Sequence, residues 1–163
     1  KRLEGILVPY VHGGGKIGVM VNLETPAGAT DAVLACGKDC ALQVAALKAP
    51  YLKREDVPAD VLESEKKIML AQMDEDPKMA NKPEQVKAKI VEGKIGKYYS
   101  ENCLLDQEFV KDGSFTVQKY VDNCAKEANT TIKVVDYVCF ERGEGVEKKE
   151  DNFADEVASM MKK

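Results

Sequence analysis

One histidine and five cysteines are the side chains of this sequence best suited to polar or nucleophilic chemistry, and their spacing decides how much of it is open to them. His12 is followed by Gly13-Gly14-Gly15-Lys16. A glycine loop ending in lysine cradles phosphates when a first glycine, four residues, and then Gly-Lys-Ser or Gly-Lys-Thr open a helix. Here Ile17 follows the lysine, the glycine spacing differs, and the loop runs into a strand-like segment, so no nucleotide site is expected. The His-Gly-Gly-Gly run also has the look of an esterase oxyanion loop, but no Gly-x-Ser-x-Gly follows it.

The cysteines are Cys36, Cys40, Cys103, Cys124 and Cys139. An odd number with no secretory signal points to reduced thiols in a cytosolic protein. Cys36 and Cys40 stand four apart, which places both on one helix face. With His12 or a further cysteine they would make a metal pair, but the two-residue separation of zinc knuckles is missing, and burial as small apolar side chains is the expected role. His12 is the one base available to a thiol nucleophile, and only Lys38 near Cys40 offers any activation. The acidic pairs Glu63 with Glu65 and Asp74 with Asp76 fall in charge-rich stretches and read as solvated. Local chemistry therefore favours an interaction protein over an enzyme, with no metal and no cofactor.

The 24 Lys and Arg against 28 Asp and Glu give a net charge of −4, which argues against direct nucleic-acid binding, since that needs a basic face. No apolar run approaches the ~18 residues of a membrane span. A length of 163 residues suits one domain with an appendage.

The elements that must carry His12 are two strands. Ile6, Val8 and Tyr10 alternate in the first; Ile17, Val19, Val21 and Leu23 alternate in the second, with Met20 and Asn22 opposite. The glycines between them supply the backbone freedom of a hairpin loop. Thr30 or Asp31 caps a helix striped by Val33, Cys36, Cys40, Val44 and Leu47, with Pro50 at or beyond its end. From 51 to 99 the pattern changes to two narrow-striped, charged helices. One runs through Val61, Leu62, Ile68, Met69 and Met73; the other follows Pro83 with Val86, Ile90, Val91, Ile95 and Tyr98. They predict an antiparallel helical hairpin projecting from the body. Ser114 or Thr116 then caps a helix with Val117, Tyr120, Val121, Cys124 and Ala128. A last strand places Ile132, Val134, Val138 and Phe140 on one face and Lys133, Val135, Tyr137 and Cys139 on the other. A short terminal helix would present Phe153, Val157 and Met160. The expected fold is α+β: a small antiparallel sheet of about three strands covered by helices (1–50 and 100–145), an inserted two-helix arm (51–99) and a C-terminal helical module (146–163).

Several segments taken in order resemble the translation elongation factor Ts family. They are Leu3-Glu4-Gly5 through Tyr10, His12 and Lys16-Ile17-Gly18-Val19; Gln43-Val44-Ala45-Ala46 followed by Pro50; Asp56-Val57-Pro58; and Lys82-Pro83 through Ile90-Val91-Glu92-Gly93-Lys94. Leu105 through Val110, Phe140 through Gly145, and Asn152 through Ala158 complete the set. The resemblance implies a guanine-nucleotide exchange factor that binds elongation factor Tu and speeds GDP release in protein synthesis, in the cytoplasm or in an organellar matrix or stroma. It implies that Tyr10, His12 and Lys16 meet the third domain of that GTPase. By the same resemblance Phe153, Val157 and Met160 anchor a terminal helix on its surface, and the 51–99 arm serves homodimerisation. The family's N-terminal three-helix module has no counterpart in these residues. Nor does its Thr-Asp-Phe-Val wedge, since Thr30-Asp31 continues with Ala32. With Lys1 as first residue, the expectation is a C-terminal binding portion of a longer factor. The alternative is a dimerisation or scaffolding module without exchange activity.

Overall fold

The structure, a computed structural model, describes residues 5–144. Strands β1 (Ile6–His12) and β2 (Ile17–Glu24) form the expected antiparallel hairpin, in register from Ile6 opposite Leu23 to His12 opposite Ile17. Later in the chain β5 (Lys133–Glu141) pairs antiparallel with the other side of β2, giving a sheet ordered β1-β2-β5. One sheet face carries the core: Val8, Val19, Val21, Leu23 and Val134 are all buried.

Helix α1 (Asp31–Leu47) lies on that face. It starts where the Thr30 hydroxyl accepts from the Val33 amide at 3.4 Å, and its Val33, Cys36, Cys40 and Val44 are fully buried, as helical spacing demands. Gly37 lets the helix sit close: a Cβ there would lie 2.5 Å from the Val8 side chain. Leu47 departs from the expected stripe and is half exposed, because the helix ends there and Lys48 turns left-handed at φ 47°. Helix α5 (Val117–Glu127), capped by Thr116, packs beside α1 through Val117, Val121 and Ala125.

Between these body helices the chain leaves to form the arm. Helices α2 (Ala59–Glu75) and α4 (Glu84–Asn102) pair through Met73, Val91 and Ile95, with the short α3 (Pro77–Ala80) at the tip. Val86 was expected in this seam but stands exposed, as do Ile68 and Leu70. A two-helix seam buries only a narrow stripe, and residues off it meet water.

Returning to the body, a small hairpin of β3 (Glu108–Phe109) and β4 (Asp112–Thr116), not expected from the sequence, precedes α5. Its Phe109 ring stacks on Tyr120 of α5, centroids 4.1 Å apart. Gln43 and Gln107 are buried polar side chains with their bonds made. The Gln43 amide donates to the Glu108 carbonyl (3.0 Å) and to Gln107 (3.3 Å), and its oxygen accepts from the Val110 amide (2.8 Å). Gln107 in turn donates to the carbonyl of Glu101 at the end of α4 (2.9 Å). A buried amide so satisfied escapes the desolvation penalty and ties α1, β3 and the arm's base together.

The last strand corrects the simple alternation. The register slips between Asn22 opposite Asp136 and Leu23 opposite Val134, leaving Val135 as an extra residue. A bulge of one residue swaps the faces beyond it. Ile132 and Val134 therefore point into the core, but so do Tyr137 and Cys139, whereas Phe140 is 63% exposed. The Tyr137 hydroxyl donates to the carbonyl of Ala49, which also fixes the chain after α1.

Candidate functional site

The hairpin end of the sheet gathers the sequence-predicted residues that the structure describes. Among the described residues β1 is an edge strand of the sheet. At its end, four residues join His12 to Ile17, and Gly13, Gly14 and Gly15 all take left-handed backbone angles (φ 61°, 66° and 89°) that favour glycine. A tight loop of this kind holds both flanking side chains at the sheet's end without burying either.

Tyr10 and His12, two apart on a strand, share a face. Their rings stack with centroids 5.9 Å apart, and the Tyr10 hydroxyl lies 3.0 Å from His12 Nδ1. Tyr10 is half-buried and packs its inner edge against the core, so it serves as a fixed backstop. His12 is exposed, oriented by Tyr10, with its Nε2 edge away from that bond. Lys16 is exposed at the far end of the loop, and its carbonyl accepts from the Arg142 amide at 2.7 Å. That bond locks the turn after β5 onto the hairpin. Phe153, Val157 and Met160 lie outside the described residues.

Sequence reasoning missed the apolar flank of this tip. Val11 and Phe140 are 67% and 63% exposed on the sheet face opposite α1, and register places both beside Gly18 of the central strand. Nothing within 4 Å would meet a Cβ on Gly18, so the row forms two apolar walls with a bare backbone floor between them. Val11 could have been found from the β1 alternation. Phe140 could not, because the bulge at Val135 reverses its side.

The thiols take no part in this tip. Cys36, Cys40 and Cys103 are buried. The Cys36 thiol is pushed far up by its hydrogen bond with Cys40 and then by burial. Burial pushes Cys103 and Cys124 up to about 11 each. These three are thiols at neutral pH, which leaves them poor nucleophiles. Among the described residues no group of three or more His, Cys, Asp or Glu is placed to hold a metal ion, and no helix is long and apolar enough to cross a membrane.

Comparison with known proteins covers the site and the arm together. The family model described as Elongation factor TS matches residues 1–144. Elongation factor Ts of Syntrophotalea carbinolica is 45% identical over 159 residues, covering 98% of this chain and 51% of that protein. Elongation factor Ts of Clostridium botulinum is 45% identical over 164 residues, with the same shares covered. The chain thus spans about half the length of the curated relatives it matches.

Proposed function

The chain belongs to the elongation factor Ts family, and we propose that it acts as the part of such a factor that docks on the GTPase elongation factor Tu during protein synthesis. The observation that supports this reading most strongly is the family match running unbroken through the hairpin that presents His12. In this reading the tip of the sheet is the docking surface. Tyr10 orients His12, Lys16 offers a cation beside it, and Val11 and Phe140 supply apolar area on the flank. A partner that binds the nucleotide-free GTPase better than the GDP-bound form must weaken GDP binding by the same factor, which is how docking becomes exchange. Phe153, Val157 and Met160 would add a second anchor on the GTPase.

The Thr-Asp-Phe-Val wedge of the family does not occur in these 163 residues. The chain is therefore expected to bind elongation factor Tu while releasing GDP slowly. Dissociation of labelled GDP from elongation factor Tu, measured with this chain and with a full-length relative, tests this directly. The expected result is rapid release with the relative and little acceleration with the chain. Rapid release by the chain itself would contradict the proposal.

A second reading is favoured by one feature of the arm. Ile68, Leu70 and Val86 are exposed apolar side chains on helices whose remaining surface is mostly charged. They suit self-association of arms, and so a homodimer through 51–99. Sedimentation with and without elongation factor Tu separates the two readings: self-association without complex formation supports the scaffold, and complex formation supports docking.

A further inference from the structure

The arm joins the body through two chain crossings, and one residue beside them that has no part in the docking reading touches both. On the way in, Tyr51 and Leu52 lie against the outgoing Asn102–Leu105. The Tyr51 amide donates to Asn102 (3.2 Å), and the Leu104 and Leu105 amides donate back to Tyr51 (2.9 Å) and Leu52 (3.1 Å). Leu52 and Leu104 of this row are buried in the body core, so the row anchors the root of the arm, and the direction in which α2 leaves needs support past it.

Arg54 supplies that support. It sits in the short 3-10 turn Arg54–Asp56, past the crossing and before α2. Its Nε and a terminal nitrogen both reach Asp106 Oδ1, at 2.9 Å and 2.7 Å. Its guanidinium carbon also lies 5.1 Å from the centroid of the Tyr99 ring, in the last turn of α4. Asp106 and Tyr99 flank the exit crossing on its two sides. One planar cation thus spans the segment entering the arm, the helix leaving it and the body beyond, a task suited to the fixed geometry of a guanidinium.

We propose that Arg54 is an orientation latch: it sets the angle between arm and body and adds little to the stability of either. The Arg54 side chain is 58% exposed and that of Asp106 is 22% exposed, so water and salt reach the pair and its share of global stability is small. An orientation between two otherwise folded parts needs no more than that to be biased. The buried Gln107, bonded to Glu101, holds the end of α4 to the body from inside, so loss of Arg54 loosens the arm without detaching it.

Residual dipolar couplings of backbone amides in α2 and α4, against those in α1 and β2, report this angle in the nitrogen-15-enriched whole chain with no attached probe. In the unaltered protein both sets are expected to fit one alignment frame. In Arg54→Ala and in the isosteric Asp106→Asn, the arm's couplings should shrink relative to the body's and cease to fit the body's frame, because the contact that biases the angle is lost. Body couplings and the thermal midpoint should stay where they were. Raising salt to 0.5 M, where the Debye length is about 4 Å, should loosen the unaltered arm in the same direction. An arm that stays in the body's frame in both variants overturns the latch. So does a loss of alignment that the body shares, because that marks a general structural role. None of these outcomes depends on elongation factor Tu, so failure of the docking reading leaves the latch standing and the reverse also holds.

Discussion

The body and the arm are held by different means. The body buries one continuous core from Val8 through Leu23 and Cys36 to Val121 and Val134, with Gln43 and Gln107 satisfied inside it. The seam between α2 and α4 buries three side chains, Met73, Val91 and Ile95, along helices of 17 and 19 residues. Helices in proteins draw most of their stability from packing an apolar face, so the arm depends on its narrow seam and on its root. A folded platform with a weakly self-sufficient extension predicts two levels of opening, the arm first and the body last.

The largest separation of the two should come from paired truncations. Leu23→Ala, at a site with no exposure, should cost about 3 kcal/mol and lower the single unfolding transition of the body. Ile95→Ala removes a comparable side chain, yet its cost of about 2 kcal/mol should fall on the arm. Amide exchange in α2 and α4 should accelerate while that of α1 and β2 stays unchanged. Equal acceleration in both regions would show that the arm and the body are one cooperative unit.

Gly37→Ala probes how closely the body is packed. Alanine gains about 1 kcal/mol of helix propensity over glycine. The added Cβ would lie 2.5 Å and 2.9 Å from Val8 atoms, and crowding of that kind costs roughly 1–3 kcal/mol. The net expectation is a loss of about 1 kcal/mol, seen as a lower denaturation midpoint. The same change at Gly93 of the arm, where a Cβ meets nothing within 4 Å, should raise stability instead.

Alkaline pH should find the body through its buried acids. Burial raises the Cys103 and Cys124 thiols from 9.0 to about 11, and burial likewise pushes the Tyr120 and Tyr137 phenols well above 10.0. The unfolded chain ionises these groups first, so their stabilising effect is full below pH 9 and is lost as pH rises through about 11. The thermal midpoint should fall between pH 9 and 11, by roughly 5 °C for a domain of this size. Phenolate absorbance from Tyr120 and Tyr137 should appear only with unfolding. A flat midpoint across that range would show that the thiols and phenols are not protected.

How much of this could be read from the residues follows the same division. The hairpin, α1 and α5 were readable because Val19, Val21 and Leu23, then Val33, Cys36, Cys40 and Val44, repeat at strand and helix periods, and Thr30 and Thr116 stand where caps belong. Periodicity failed where a local event changed the count. The bulge at Val135 turned Tyr137 and Cys139 inward and Phe140 outward, and the early end of α1 left Leu47 in water. The Gln43 and Gln107 pair could not be read at all, since a buried amide is identified by partners 64 residues away. Of the candidate site, His12 and Tyr10 were found through the glycine loop and the family resemblance. Their mutual bond and the Val11 and Phe140 flank required the register.

In the proposed docking, the tip of the sheet and not the arm meets the GTPase. Calorimetric titration of the chain and its variants into nucleotide-free elongation factor Tu tests it most directly. His12→Ala is expected to weaken binding roughly tenfold, as truncation at the centre of an interface does, while Ile95→Ala in the arm changes it less than about twofold. Unchanged affinity in His12→Ala, with loss in Ile95→Ala, would contradict it.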